Sequence, residues 1–160
     1  MKKFFLAALA VSVALAMTGC KGTNEKRGDD HLKENRFRNA INSYLEAKKK
    51  GGVSDEFYDN FTLALVRAAE MEAKKDLNSE LLENYYDKAR INMPEVKKDE
   101  VVEEYVTKLA TLGKQQASQD GADFNMIINA FARIDTALVY AQSKHVAEGA
   151  VKAIRTEAEN

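Results

Sequence analysis

The chain has 160 residues, of which 24 are basic and 25 acidic, so its formal net charge is −1. This balance gives no basic surface of the kind that nucleic-acid-binding proteins use, and we expect no nucleic-acid partner. One cysteine, one proline and no tryptophan exclude a disulfide within the chain and favour helix, because helix breakers are rare.

The first twenty residues have the pattern of an export signal. Lys2 and Lys3 precede an almost uninterrupted apolar run over residues 4–17. A run of this length is too short to stay in a bilayer as a spanning helix. Residues 1–19 are therefore predicted to be a signal peptide.

The end of this segment, Met17-Thr18-Gly19-Cys20, resembles the lipobox of bacterial lipoproteins, in which small residues precede a cysteine that becomes acylated. The resemblance implies a lipid-anchored envelope protein with palmitate on Cys20. Lys21, in place of an aspartate, implies the outer membrane, with the body on its periplasmic face or at the cell surface. Ala14-Leu15-Ala16 also fits an ordinary signal-peptidase site, so a secreted protein with a free thiol is the alternative.

Removal of the first twenty residues would leave 140, enough for one compact domain. Its first part, residues 21–30, is polar, contains two glycines and has no apolar side chain. Such a segment buries too little surface to order itself. Residues 20–30 are therefore predicted to be the lipidated cysteine with a flexible tether, and residues 31–160 the folded domain.

Hydrophobic residues then recur at helical spacing along the chain. A first helix is predicted from Leu32 to the glycine pair at 51–52, and a second from an N-cap at Ser54 to about Lys74. A third runs from about Asn78 until the proline at 94 stops it.

Three further helices complete the predicted fold. The fourth spans about residues 98–116, and the fifth begins at a cap on Asp123 and carries the most apolar face of the chain. A weaker last helix is predicted over about residues 143–157. The fold class is therefore all-α, with about six helices.

Two sets of residues resemble the second helix of a tetratricopeptide repeat, in which small residues let two helices approach and an aromatic ring fills the gap. The sets are Phe37, Ala40, Tyr44 and Ala47, and Leu82, Tyr86, Ala89 and Pro94. The resemblance covers about residues 32–94 and implies antiparallel helical hairpins in a short solenoid with a protein-binding groove. An irregular helical bundle is the alternative.

Tyrosines are the candidate partner-binding residues. Tyr85 and Tyr86 are adjacent and are not expected both to point inward, so one of them, Tyr85 by preference, is predicted to line an exposed groove. Tyr58 is a further candidate. The carboxylate clamp of chaperone-binding family members is not expected, because Asp59 and Leu63 occupy the corresponding stretch.

The residues give little sign of catalysis. His31 and His145 are isolated, so no metal site is predicted, and no cofactor is expected. The densest acidic cluster flanks inward-facing valines at positions that should face water, so we interpret it as a solvated face and not as a glycosidase pair. Its members are Asp99, Glu100, Glu103 and Glu104.

These observations favour a membrane-anchored lipoprotein that binds another envelope protein as a scaffold or assembly factor, and not an enzyme. A lipid-tethered cell-wall hydrolase or accessory enzyme is one alternative. A structural, self-assembling envelope lipoprotein is another, and the helix faces do not choose between self-association and a different partner.

Overall fold

The computed structural model describes residues 21–122 and positions 128, 129, 132, 133, 135, 136 and 139. Residues 21–122 form five α-helices and one 3-10 turn without a strand, which confirms the predicted all-α fold. The helices are α1 (Thr23–Lys33), α2 (Phe37–Lys50), α3 (Phe57–Ala73), α4 (Glu80–Asn92) and α5 (Asp99–Ala117), with the turn at Met93–Glu95. The described positions from 128 to 139 are also helical.

Several predictions fall outside the described residues. They concern the signal peptide, the lipobox with Cys20, the cap at Asp123, His145 and the last helix over about residues 143–157.

The predicted flexible tether is wrong where α1 forms. Residues 23–33 are helical, and Glu25, Gly28 and Leu32 are buried. The hydrophobic pattern did not reveal this helix because Leu32 is its one buried side chain of appreciable apolar size. The rest of its buried face consists of a carboxylate and a glycine, which are usually features of exposed, irregular chain.

The first predicted helix, which was expected to begin at Leu32, begins at Phe37 as α2. Residues 34–36 separate α1 from α2, and Asn35 there has a left-handed φ of 57°. The predicted end is correct, because Gly51 and Gly52 have φ values of 73° and 67° that favour glycine. Ser54 is not the N-cap of α3, which begins at Phe57.

The later boundaries agree with the sequence. Helix α3 ends at Ala73 and α5 covers Asp99–Ala117, within a residue of the predicted limits. Helix α4 ends at Asn92, and Pro94 lies in the 3-10 turn that follows. A proline has no backbone N–H to continue a helix, which accounts for this stop.

The helices form two antiparallel hairpins, α1 with α2 and α3 with α4, followed by α5. Helices α3 and α5 run parallel, since side-chain contacts along their length join residues 37 to 39 positions apart. The contacts are Asp59 with Lys97 and Lys98, Arg67 with Glu104, and Leu77 with Gln116. Helix α1 also runs parallel to α3, with Lys21 bound to Glu56 and Asp29 to Asn60.

Aromatic rings occupy the centre of the first hairpin and its junction with α3. The Tyr44 ring lies 5.7 Å from Phe57, edge to face, and 5.6 Å from Phe61. Further along, Tyr86 of α4 and Tyr105 of α5 have ring centroids 6.2 Å apart. Such pairs add roughly 0.5–1.5 kcal/mol each beyond the area that they bury. The first cluster joins α2 to α3, and the second joins α4 to α5.

Candidate partner-binding surface

Tyr85 and Tyr86 are both buried, with 6% and 5% of their surface exposed, so the prediction that one of them faces outward is wrong. Helix α4 is covered on two sides. Tyr86 packs beside Tyr105 of α5, whereas Tyr85 interacts with Arg38 of α2. Neighbouring positions on a helix point about 100° apart, and here each direction meets another helix.

Tyr58 is partly buried and already has partners. Its ring lies edge to face on Phe57 at 5.1 Å. The Lys48 ammonium lies 5.4 Å from its ring centroid, a cation–π contact that joins α2 to α3. Tyr58 therefore belongs to the helix packing at the start of α3 and does not share a surface with Tyr85 or Tyr86.

A groove runs between α3, α4 and α5 over the buried face of Tyr86. Its volume is about 420 Å³. The apolar part of its lining is Ala73, Leu77, Tyr86 and Leu112, and the polar part is Glu70, Lys74, Lys108, Thr111, Gln115 and Ser118. We call this the α3–α5 groove. An apolar lining with polar groups around it is typical of a recognition site.

One carboxylate and two lysines line the α3–α5 groove, so its charged residues leave a single net positive charge. Glu70 lies 3.0 Å from the Lys108 Nζ and 3.4 Å from the Lys74 Nζ. Burial acts to raise the pKa of Glu70, but the hydrogen bonds and charges of the two lysines outweigh it and lower that pKa. Glu70 is therefore ionised near neutral pH and links α3 to α5 beside the groove.

Tyr86 is a neutral, buried part of the groove lining. Burial, followed by the neighbouring Tyr105 and Glu70, raises the pKa of Tyr86 above its ordinary value of 10.0. The phenol therefore stays protonated near neutral pH and adds no charge to the lining.

A second cavity of about 350 Å³ lies on the other side of Tyr86. Helices α4 and α5 line it together with described residues from 129 to 136. Arg133 forms an ion pair with Glu83 there, and its Nε is buried without a hydrogen-bond partner. Tyr86 thus separates two concave surfaces, of which the α3–α5 groove is the more apolar.

The acidic cluster at the start of α5 lies largely on the solvent-facing side of the helix. Asp99, Glu100 and Glu103 are exposed on the helix surface. Both oxygens of Glu104 accept hydrogen bonds from Arg67, at 2.9 and 3.1 Å. These contacts make a bidentate ion pair between α3 and α5, which occupies the one partly buried acid of the cluster.

Asp59, which lies where chaperone-binding repeat proteins would carry a carboxylate-clamp residue, connects α3 to the start of α5. It is 2% exposed, and its Oδ1 accepts hydrogen bonds from the backbone N–H groups of Lys97 and Lys98 at 2.7 and 3.0 Å. Asp59 therefore satisfies free donors just ahead of α5, as a capping residue does.

Histidine and metal chemistry gain no support in the part of the chain that the structure describes. There, no group of three or more His, Cys, Asp or Glu side chains could hold a metal ion. His31 is partly buried in α1, and its Nδ1 lacks a hydrogen-bond partner within the protein.

The α3–α5 groove was not predicted from the sequence, because it combines a tyrosine of α4 with charged residues of α3 and α5 that are distant in the chain. A usable signal was present. Glu70 and Lys108 are 38 residues apart, within the range of 37 to 39 residues that separates the other contacts between these parallel helices. A parallel pairing of α3 and α5 would have brought these side chains together.

None of the helices in the described part of the chain combines the length and apolar character needed to cross a bilayer. No protein-family model, curated protein or solved structure matches the chain.

Proposed function

We propose that the chain is an envelope lipoprotein, anchored in the outer membrane through an acylated Cys20, whose helical body binds another protein as a scaffold or assembly factor. The lipobox-like Met17–Cys20 supports the anchor. The α3–α5 groove supports the binding role, because it combines an apolar lining with polar and charged groups around it.

The observation that carries the binding role is the parallel register of α3 and α5. Parallel first helices with antiparallel second helices between them are the arrangement of a tetratricopeptide-like solenoid, in which first helices line a partner-binding groove. Gly28 of α1 supports the same interpretation. A Cβ placed there would lie 2.6 Å from the Tyr44 ring, so the glycine permits the close helix approach that such hairpins use.

The groove suits a protein segment that inserts an apolar side chain and places its backbone N–H and C=O groups beside the polar lining residues. Leu77 and Leu112 offer apolar contact, while Gln115 and Ser118 offer hydrogen bonds beside them. Because Glu70 offsets only one of the two lysines that pair with it, the groove keeps a single positive charge beside its apolar lining. We therefore expect a partner contact dominated by apolar burial.

A matched pair of substitutions on α5 tests this role. Thr111 lines the groove, whereas Thr107 is exposed one turn earlier and contacts Thr111 through its backbone oxygen. Thr111→Arg places a long cation in the groove, and Thr107→Arg makes the same chemical change outside it. Crosslinking in intact membranes should capture a protein partner with the wild type and with Thr107→Arg, but not with Thr111→Arg.

Equal capture by both variants would contradict the assignment of the groove. Capture of copies of the same chain alone would favour the self-assembling structural lipoprotein. Release of sugar from purified cell wall by the wild-type chain would favour the cell-wall hydrolase. Circular dichroism of both variants verifies that neither substitution unfolds the helices.

The anchor has a separate test. Labelled palmitate should enter the wild type and not Cys20→Ala, and the variant should leave the membrane fraction. A wild-type chain that carries no label, with an unmodified thiol, would favour the secreted alternative.

A further inference from the structure

The residue that follows the proposed lipidation site is already in contact with the helical body. Lys21 lies with its Nζ 2.9 Å from Asp29 and 2.8 Å from Glu56, so its side chain is fixed between α1 and the loop before α3. Its side chain is 27% exposed. Gly22 is the N-cap of α1, which starts at Thr23. The chain therefore has no flexible spacer between residue 21 and the folded core.

Helix α1 is tied to the body at this end. Glu25 is 1% exposed and accepts hydrogen bonds from the backbone N–H of Ser54, at 3.1 Å, and from the Ser54 hydroxyl. A buried carboxylate without such donors would be costly, so this contact holds the start of α1 on the loop after α2. Because α1 begins two residues after Lys21, this contact also keeps Lys21 beside the body.

The same end of the molecule contains two further loops. Glu56 lies 3.5 Å from the Lys98 Nζ as well as beside Lys21, and Lys97 pairs with Asp55 at 3.0 Å. Residues 21–22, 51–56 and 96–98 therefore form one surface, which we call the anchor end. Lys50, Lys97 and Lys98 are exposed at or beside it.

We propose that the anchor end rests directly on the phospholipid head groups, with α1, α3 and α5 directed away from the bilayer. This orientation depends on acylation of Cys20, as proposed above. Consecutive Cα atoms are about 3.8 Å apart, so acyl chains on Cys20 would enter the membrane within a few ångströms of Lys21. Lys50, Lys97 and Lys98 outnumber the exposed acids of the anchor end, Asp55 and Glu56, which pair with the last two lysines, so a small positive excess faces lipid phosphate.

The orientation also places the α3–α5 groove. Leu77 and Ser118, at the far ends of α3 and α5, line it. Helix α3 has 17 residues, which at about 1.5 Å per residue corresponds to roughly 25 Å. The groove would therefore face away from the membrane, towards partners in the surrounding compartment.

Fluorophores at the two ends of α3 test the orientation. Lys97→Cys labels the anchor end, and Lys75→Cys labels the opposite end, where its side chain is 59% exposed. The full acylated protein is reconstituted in vesicles of phosphatidylethanolamine and phosphatidylglycerol that carry a head-group quencher. Since the sites differ in depth by roughly 25 Å, we expect at least about twofold stronger quenching at position 97.

A control variant with twelve Gly and Ser residues between Cys20 and Lys21 should lose most of this difference, because the body can then turn. Equal quenching at both positions in the native-length, palmitate-labelled protein would overturn the orientation and leave the anchor intact. Absence of palmitate from the native chain would overturn the anchor and the orientation together.

Discussion

Helices α1 and α5 both run parallel to α3, but they are held to the body by different interactions. Helix α5 buries a continuous apolar stripe that includes Val102, Val106 and Leu109. Helix α1 buries Leu32 beside Glu25 and Gly28. Helix α5 is held mainly by the hydrophobic effect, which is non-directional. Helix α1 is held mainly by hydrogen bonds and one close contact, which are directional.

The centre of the α1 interface is Asp29. Its Oδ1 accepts hydrogen bonds from the Tyr44 hydroxyl at 2.7 Å and from the Asn60 amide at 3.0 Å, and its Oδ2 pairs with Lys21. Hydrogen bonds to a charged group contribute roughly 1.5–3 kcal/mol each. A polar helix can thus dock specifically if its neighbours supply donors, although few apolar atoms are buried.

The largest expected effect lies in α5. Leu109 is 4% exposed, and Leu109→Ala removes its buried methyl groups and leaves a cavity, so we expect the free energy of unfolding to fall by about 2–5 kcal/mol. Chemical denaturation measures the loss. Thr107→Ala, at an exposed position of the same helix, should change stability by less than about 0.5 kcal/mol. Similar losses in both variants would contradict an apolar interface for α5.

A steric substitution tests α1. A Cβ at Gly28 would lie 2.6 Å from the Tyr44 Cε1, and that ring is fully buried. Gly28→Ala should therefore cost about 1–3 kcal/mol, although alanine is the better helix former elsewhere.

The matched control for Gly28→Ala is the same substitution in a protein with a smaller side chain at position 44, which faces Gly28. In a Tyr44→Leu background the same change should become neutral or stabilising, and a double-mutant cycle measures this coupling. An equal cost of Gly28→Ala in both backgrounds would show that the contact with Tyr44 is not the cause.

The contrast also explains how far the sequence predicts the fold. The limits of α3, α4 and α5 follow from apolar spacing and from Pro94, because these helices are positioned by burial that a periodic pattern records. Helix α1 could not be predicted in this way. Its docking depends on donors from Tyr44, Asn60 and Ser54, which are 15 to 31 residues distant in the chain.

The candidate site was predicted only in part. Tyr86 was a predicted partner-binding residue, and it does line the α3–α5 groove, but as a buried residue. The prediction for Tyr85 was wrong because its side chain is buried in the packing between helices, and apolar spacing along α4 does not determine this direction. Tyrosine composition indicates a recognition surface, whereas the direction of each ring depends on tertiary neighbours.

A capping contact gives the next smaller effect. Asp59→Ala removes the acceptor for the backbone N–H groups of Lys97 and Lys98, so we expect a loss of about 1–2 kcal/mol in denaturation. Asp59→Asn keeps a side-chain oxygen and should lose less. If asparagine were as damaging as alanine, the charge of Asp59 and not its hydrogen bonding would hold α5.

The smallest effect is the pH dependence of the ion pair between α3 and α5. The pKa of Glu70 is lowered in the folded protein from an ordinary value of 4.5, because Lys108 and Lys74 outweigh the effect of burial. A lowered folded pKa contributes stability above the unfolded value and loses it as the pH falls through the folded one. Since both partners are about one-third exposed, solvent screening limits the contribution to about 0.5 kcal/mol.

Comparison of the wild type with Glu70→Gln isolates this contribution, because acids such as Glu56 and Glu72, whose pKa values are also lowered, are common to both proteins. The stability difference should be present at pH 7, shrink below pH 4.5 and fall at about 1 M salt, where the screening length is about 3 Å. A difference that persists at low pH would show that Glu70 acts by packing along its methylene groups and not by charge.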